Sequence, residues 1–336
     1  MHTTNARPTS RSLVTIALGA VVALALSACG GDSGGGTTAP AADVDPHAPE
    51  QTTVTGSMYE NAISAQWFLA QPAAEEYGLT LDHIWQTDGA AGLAQLVSGD
   101  IDILQSAPAR IADAVMQGVD LSIIAGTYQS GPDFATLLVM PDSGISDIAD
   151  LEGKKVGMPS PVGIWANRLR KALFDAGVDP NSVEFVQVPF GDIAASLQRG
   201  TVDAVGSQGA VTEQLTAAGA EEIFDFGEGE FEGRVENIWA VTDDFLKKNP
   251  NTVAAFQCSI LKGGEAANVR ENAESYFRDT LGWDDATIDT TVSVVAVTKP
   301  LTTDQIQQDF DDLIDIGVES QEFDMSSIMV PQPDNC

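Results

Sequence analysis

From residue 51 onward, apolar and polar positions switch repeatedly between the two-residue period of a strand and the longer period of a helix. Strands are predicted over 51–57, 79–86, 101–104 and 121–125. Helices are predicted between them, over 64–77 (with Pro72 inside), 90–98 and 109–116. The same alternation continues with strands over 135–140, 156–158, 183–188, 202–205, 223–226 and 238–242. Its helices fall within 161–176 and over 193–198 and 211–217. Residues 243–317 read as mainly helical, apart from a β-leaning run over 291–297. Strands alternating with helices predict an α/β protein whose sheets are mostly parallel and covered on both faces.

One stretch occurs twice. Leu96-Val97-Ser98-Gly99-Asp100-Ile101-Asp102-Ile103-Leu104-Gln105-Ser106-Ala107-Pro108-Ala109 lies over Leu197-Gln198-Arg199-Gly200-Thr201-Val202-Asp203-Ala204-Val205-Gly206-Ser207-Gln208-Gly209-Ala210. Leu, Gly, Asp, Ser and Ala recur at matching positions. Each copy reads as a helix end, a glycine turn, a short strand and a new helix, which predicts two similar lobes.

The first residues change the picture. Arg7 and Arg11 precede an apolar run over 13–26, followed by Leu26-Ser27-Ala28-Cys29-Gly30. A basic start, a short apolar core and small residues before a cut site describe a secretory signal. With cysteine at that place, the segment resembles a bacterial lipobox, which implies a signal peptide over 1–28 and a lipid on Cys29. The Gly, Ser, Thr, Ala and Pro-rich residues up to 50 read as a flexible tether over 29–50. That tether contains Gly31-Asp32-Ser33-Gly34-Gly35, a string found around nucleophilic serines, but it lacks the strand-turn-helix setting and a nearby base. No other apolar run approaches a membrane span.

The chain has 336 residues with 16 Lys+Arg against 49 Asp+Glu, a net charge of −33. Such an excess repels nucleic acid, so no nucleic-acid partner is expected. Of three cysteines, Cys258 and Cys336 remain after Cys29. In an oxidising compartment they form a disulfide or stay as two free thiols, and the disulfide is expected. No metal cluster, phosphate loop or dinucleotide fingerprint appears, so no metal or cofactor is expected.

A family resemblance rests on Ser143-Gly144-Ile145, on Asp150-Leu151-Glu152-Gly153-Lys154-Lys155-Val156-Gly157, on Gly200-Thr201-Val202-Asp203-Ala204, and on the first-half turn Gly99-Asp100-Ile101-Asp102. Over roughly 52–250 the chain resembles solute-binding proteins of the nitrate, sulfonate, taurine and thiamine-pyrimidine-precursor class. The resemblance implies a two-lobe periplasmic-binding-protein type II fold, each lobe a mostly parallel sheet flanked by helices. Lobe one would be 51–140 plus 237–336 and lobe two 141–236, with hinges near Met140 and Asn237. It also implies an ABC permease and its ATPase as partners, a monomeric chain held outside the cytoplasmic membrane by the lipid on Cys29, and no catalysis.

Ligands of open α/β sheets sit beyond the carboxyl ends of strands, where helix amino termini present free N–H groups. The candidate ligand-binding residues there are Ser57, Tyr59, Glu60, Asp88, Ser106, Tyr128, Ser160, Val162, Gly163, Ser207 and Gln208. Several have a second reading: Ser106 and Ser207 as helix caps, Asp88 as a cap of the Gly89 turn. Trp67 and Trp165 read as core more readily than as stacking platforms. Glu60, Asp88 and Asp133 outnumber the one nearby cation, Arg110, which leans the ligand towards a neutral, heteroaromatic or cationic molecule such as a pyrimidine-type vitamin precursor. Two rival functions remain: a surface sensor or adhesin, and a pyrimidine-biosynthesis-like enzyme, for which His83 is the one histidine of the folded body.

Overall fold

The computed structural model describes residues 44–86, 88–132, 134–289, 295–333 and 336. The basic start, Cys29 and most of the glycine-rich stretch lie outside them, as do Thr87 and Asp133.

Eleven strands occur among the described residues: β1 (Thr53–Met58), β2 (Thr80–Trp85), β3 (Ile103–Ser106), β4 (Leu121–Gln129), β5 (Thr136–Val139), β6 (Lys155–Met158), β7 (Glu184–Gln187), β8 (Ala204–Ser207), β9 (Glu221–Asp225), β10 (Val235–Thr242) and β11 (Val295–Ala296). The helices are α1 (Ala65–Leu69), α2 (Gln71–Glu76), α3 (Gly89–Ser98), α4 (Pro108–Met116), α5 (Ile164–Asp175), α6 (Ile193–Gln198), α7 (Gly209–Ala217), α8 (Asp243–Lys248), α9 (Pro250–Ala267), α10 (Arg270–Asp279), α11 (Asp285–Asp289) and α12 (Asp304–Asp315). The helix expected over 64–77 is divided into α1 and α2, with Pro72 in the first turn of α2, where its missing N–H costs nothing.

The strands form two mixed sheets, ordered β11-β4-β10-β3-β1-β2 and β7-β6-β8-β5-β9. Each has a parallel set, β2-β1-β3 or β7-β6-β8, next to one reversed strand, β10 or β5. The reversal has a geometric cause. The chain leaves the first sheet at the carboxyl end of β4 and enters the second as β5; it leaves the second at the carboxyl end of β9 and re-enters the first as β10. A chain arriving at the carboxyl edge of a sheet must run back through it against its neighbours.

These crossings correct one boundary. β5 pairs with β8 and β9, so the first crossing follows Gln129 and lies ahead of the expected boundary at Met140. All four β5 residues are buried, and a strand buried on both faces, without alternation, carries no signal of which sheet it joins.

A second correction concerns the tether. Residues 44–50 are seated on the amino end of α9: the Asp45 amide donates to Asn251 Oδ1 at 2.8 Å, and the Glu50 carboxylate accepts from the Thr252 amide at 2.9 Å. Glu50 thereby satisfies free N–H groups of an 18-residue helix. The His47 ring lies 4.9 Å from that of Tyr77.

The cores follow the sheets. Trp67, Trp239 and Phe256 pack together on one face of the first sheet, while Leu104, Ile111, Ile306 and Phe310 fill the other. The second sheet has its own pair of cores, around Leu169 and Phe226 and around Ile193 and Val205. Gly56 is required by that packing: a methyl there would lie 2.3 Å from the Trp67 ring. Cys258 on α9 is bonded to Cys336.

Candidate functional site

Because the parallel strands of both sheets end towards the crossings, their carboxyl-end loops face each other. Between them lies a cleft cavity of about 480 Å³. From the side of the first sheet it is lined by Asn61, Tyr128, Glu236, Trp283 and Thr287; from the second, by Phe134, Trp165, Phe190 and Gln208. Five aromatic rings therefore wall it. Tyr128, at the end of β4, lies 5.4 Å from Phe134, and Trp165 stacks on Phe226 at 5.8 Å.

Among the described residues that line this cavity, Glu236 is the charged one, and it is almost wholly buried. One carboxylate oxygen accepts from the Tyr128 hydroxyl at 2.7 Å and the other from Arg168 at 2.7 Å. Burial and the neighbouring carboxylate push the Tyr128 hydroxyl well above the usual phenol range, so it stays a donor. Burial alone would lower the Arg168 guanidinium; Glu236 and Asp309 together raise it, and it remains charged.

A second cavity of about 320 Å³ lies between Pro108, Arg110 and Asp113 of α4 and Ser160, Val162 and Gly163 before α5. Gly163 is the amino-terminal cap residue of α5, and no side chain caps that helix. Arg110 closes no salt bridge among the described residues. It lies beside Tyr59 at α3: a methyl on Gly89 would be 2.8 Å from the Arg110 guanidinium and 3.2 Å from the Tyr59 hydroxyl. Burial raises the Tyr59 hydroxyl against the pull of Arg110.

The candidates from sequence thus divide. Tyr128 and Gln208 line the aromatic cavity; Ser160, Val162 and Gly163 line the second. Asp88 caps α3, its carboxylate accepting from the Ala90 and Ala91 amides at 2.9 Å, in agreement with its capping alternative. Glu60 is exposed. Ser207 is buried and shares a 2.7 Å hydrogen bond with Thr212 inside α7. Ser106 is not the cap of α4, a place held by Ala107. Ser57 and Ser106 are buried with no hydrogen-bond partner for their hydroxyls among the described residues. Such atoms at adjacent strand ends are uncommon in a settled core.

The residues named from sequence do not include Asn61, Phe134, Phe190, Glu236, Trp283 or Thr287 of this lining; Trp165, read there as core, packs on a core of the second sheet and also lines the cavity. Trp283 and Thr287 come from the excursion after α10, which no strand-end rule reaches. Glu236 stands next to the expected second hinge at Asn237 and could have been found there.

The model of the family described as "NMT1/THI5 like" matches residues 75–271. The chain belongs to the NMT1/THI5-like family. It is 28% identical to the taurine-binding periplasmic protein of Escherichia coli strain K12 over 188 residues, 56% of this chain and 58% of that one. It is 23% identical to the riboflavin-binding protein RibY of Chloroflexus aurantiacus over 260 residues, 75% of this chain and 73% of that one. The chain thus spans little more than half the length of the taurine-binding relative. Its fold matches the crystal structure of the periplasmic aliphatic sulphonate binding protein SsuA from Escherichia coli with a TM-score of 0.67 at 18% identity, covering 83% of this chain and 97% of that one. The architecture of this NMT1/THI5-like chain is the type II periplasmic-binding fold.

Proposed function

We propose that this chain captures a small organic molecule between its two lobes and delivers it to a membrane importer, without catalysis. The observation that carries this reading is the cavity of about 480 Å³ walled by residues of both sheets. A ligand touching both walls binds the closed arrangement better than an open one and shifts the population towards it. The lobes would move about the crossings after Gln129 and after Asp225.

Five rings and few polar groups suit a planar heteroaromatic ligand, with Asn61, Gln208 and Thr287 to orient it. Names of relatives support a small-molecule ligand, and one of them binds riboflavin. A second reading has one observation in its favour. Arg110 faces the uncapped start of α5 across the second cavity, and a guanidinium opposite free N–H groups suits a sulfonate or carboxylate. The lipid on Cys29 and the permease and ATPase partners belong to the proposal.

Thermal unfolding of the mature chain with riboflavin, thiamine pyrimidine precursors, taurine and nitrate tests it. A ligand at a hundredfold excess over its Kd adds about 2.7 kcal/mol of stability. A shift with a heterocycle that Trp165→Ala abolishes and Arg110→Gln spares supports the aromatic reading. The opposite pattern supports the anionic one. No shift with any compound overturns ligand capture for these classes.

A further inference from the structure

Charged side chains beside the crossings, with Arg168 and Lys171 buried and their acidic partners partly or fully exposed, form a ladder between two helices that belong to different lobes. On α5, Arg168, Lys171 and Asp175 follow one another along the helix; on α12, Asp309, Asp312 and Asp315 do the same. Arg168 reaches Asp309 at 3.3 Å; Lys171 is hydrogen-bonded to Asp175 on its own helix at 2.6 Å and lies 3.9 Å from Asp312 and 3.8 Å from Asp315. α5 covers the second sheet through Leu169 and Leu173, whereas α12 packs on the first sheet through Ile306 and Phe310. Arg234, in the returning crossing, closes the ladder from the side. It pairs with Asp309 at 2.9 Å and with Asp312, lies 4.8 Å over the Phe231 ring, and has Glu230 at 3.7 Å. Arg168 also holds Glu236 in the cleft and the Phe226 carbonyl at 2.8 Å.

We infer that α12 is an electrostatic clasp on the second lobe: the α5–α12 ladder fixes the angle between lobes and, through Arg168, couples it to Glu236 in the cleft. The geometry gives this coupling a physical route. Turning one lobe against the other slides α5 along α12, which must break Arg168–Asp309 and draw Lys171 away from Asp312 and Asp315. Arg168 cannot move without disturbing Glu236 and, through it, Tyr128, both in the cavity wall. Arg168 and Lys171 are positioning residues in this scheme. The coupling to ligand rests on the binding-protein reading; the fixing of the angle does not.

Spin labels at Val97→Cys on α3 and Arg199→Cys after α6, both exposed and one on each lobe, report the interlobe distance in the ligand-free mature chain with its disulfide intact. The expected result is one narrow distance distribution, broadened or displaced by Lys171→Gln and again by Asp312→Asn. Lys171→Arg, which keeps the cation, should leave the distribution narrow, an outcome that mere damage to the packing of α5 would not give. Circular dichroism checks that each variant is folded. Unchanged distributions in both folded single variants would overturn the clasp. Variants that alter the distribution while leaving the affinity of a compound found by thermal screening unchanged would keep the fixing of the angle and overturn the coupling to the cleft.

Discussion

Asp113 on α4 and Glu319 just beyond α12 both border the second cavity, and both carboxyls are pushed up from their ordinary 3.8 and 4.5, Asp113 by burial against the pull of Arg110, Glu319 by burial and then by Asp113 itself. Two carboxyls placed together hold a proton more tightly than they would apart. The sign follows from linkage. The folded chain binds these protons better than the unfolded chain, so their contribution is present below the unfolded values and is lost as pH rises through the raised folded ones. Asp113→Asn removes the repulsion on Glu319. It should raise Tm near pH 7, with the gain disappearing towards pH 4; a Tm difference independent of pH would refute this account. Arg168 behaves oppositely. Arg168→Met strands Glu236 as a buried charge, and breaking a pair of this kind costs about 3–5 kcal/mol, which urea unfolding would register.

At the scale of elements, the repeat noticed in the sequence has a mechanical meaning. Asp102 accepts from the Thr55 amide at 2.8 Å, and Asp203 accepts from the Lys155 amide at 2.8 Å. Each aspartate, just ahead of the central strand, pins the start of the neighbouring parallel strand, β1 in one sheet and β6 in the other. The preceding glycines, Gly99 at φ 79° and Gly200 at φ 67°, take the left-handed turn that ends α3 or α6. Fold class and internal symmetry were legible because these turns and the alternating periods are local. What was not legible depends on contacts far apart in sequence: the sheet that takes β5, and the arrival of Trp283 at the cleft from beyond α10. The strand-end rule named Tyr128 and Gln208, which line the aromatic cavity, and also Asp88 and Ser207, whose polar atoms serve α3 and α7. Asp203→Ala should cost about 0.5–1.5 kcal/mol, since the Lys155 amide it leaves is exposed and open to water. Asp102→Ala should cost more, since the same carboxylate also holds Gln51 at 3.0 Å. Equal effects would mean that the Gln51 bond contributes nothing.

For the whole molecule, α9 is the common anchor of both ends of the described chain. Residues 44–50 sit on its amino end, and the Cys258–Cys336 bond ties the carboxyl terminus to its middle across 78 residues. Cys258 is fully buried among Trp67, Trp239 and Phe256, on the face of the first sheet that the helix covers. A cross-link closing a loop of that length removes much of the freedom of the unfolded chain, typically about 2–4 kcal/mol. The effect of Cys336→Ser should therefore differ from that of Cys258→Leu. The first loses the cross-link alone, because Cys336 is exposed, and should lower stability by about that amount. The second adds an overpacked core, worth about 1–3 kcal/mol more. Reduction of the native chain with dithiothreitol should reproduce Cys336→Ser and have no further effect on that variant. If reduction leaves the urea midpoint of the native chain unchanged, the cross-link is not what holds the carboxyl terminus, and the packing of residues 325–333 against β4 must do so alone.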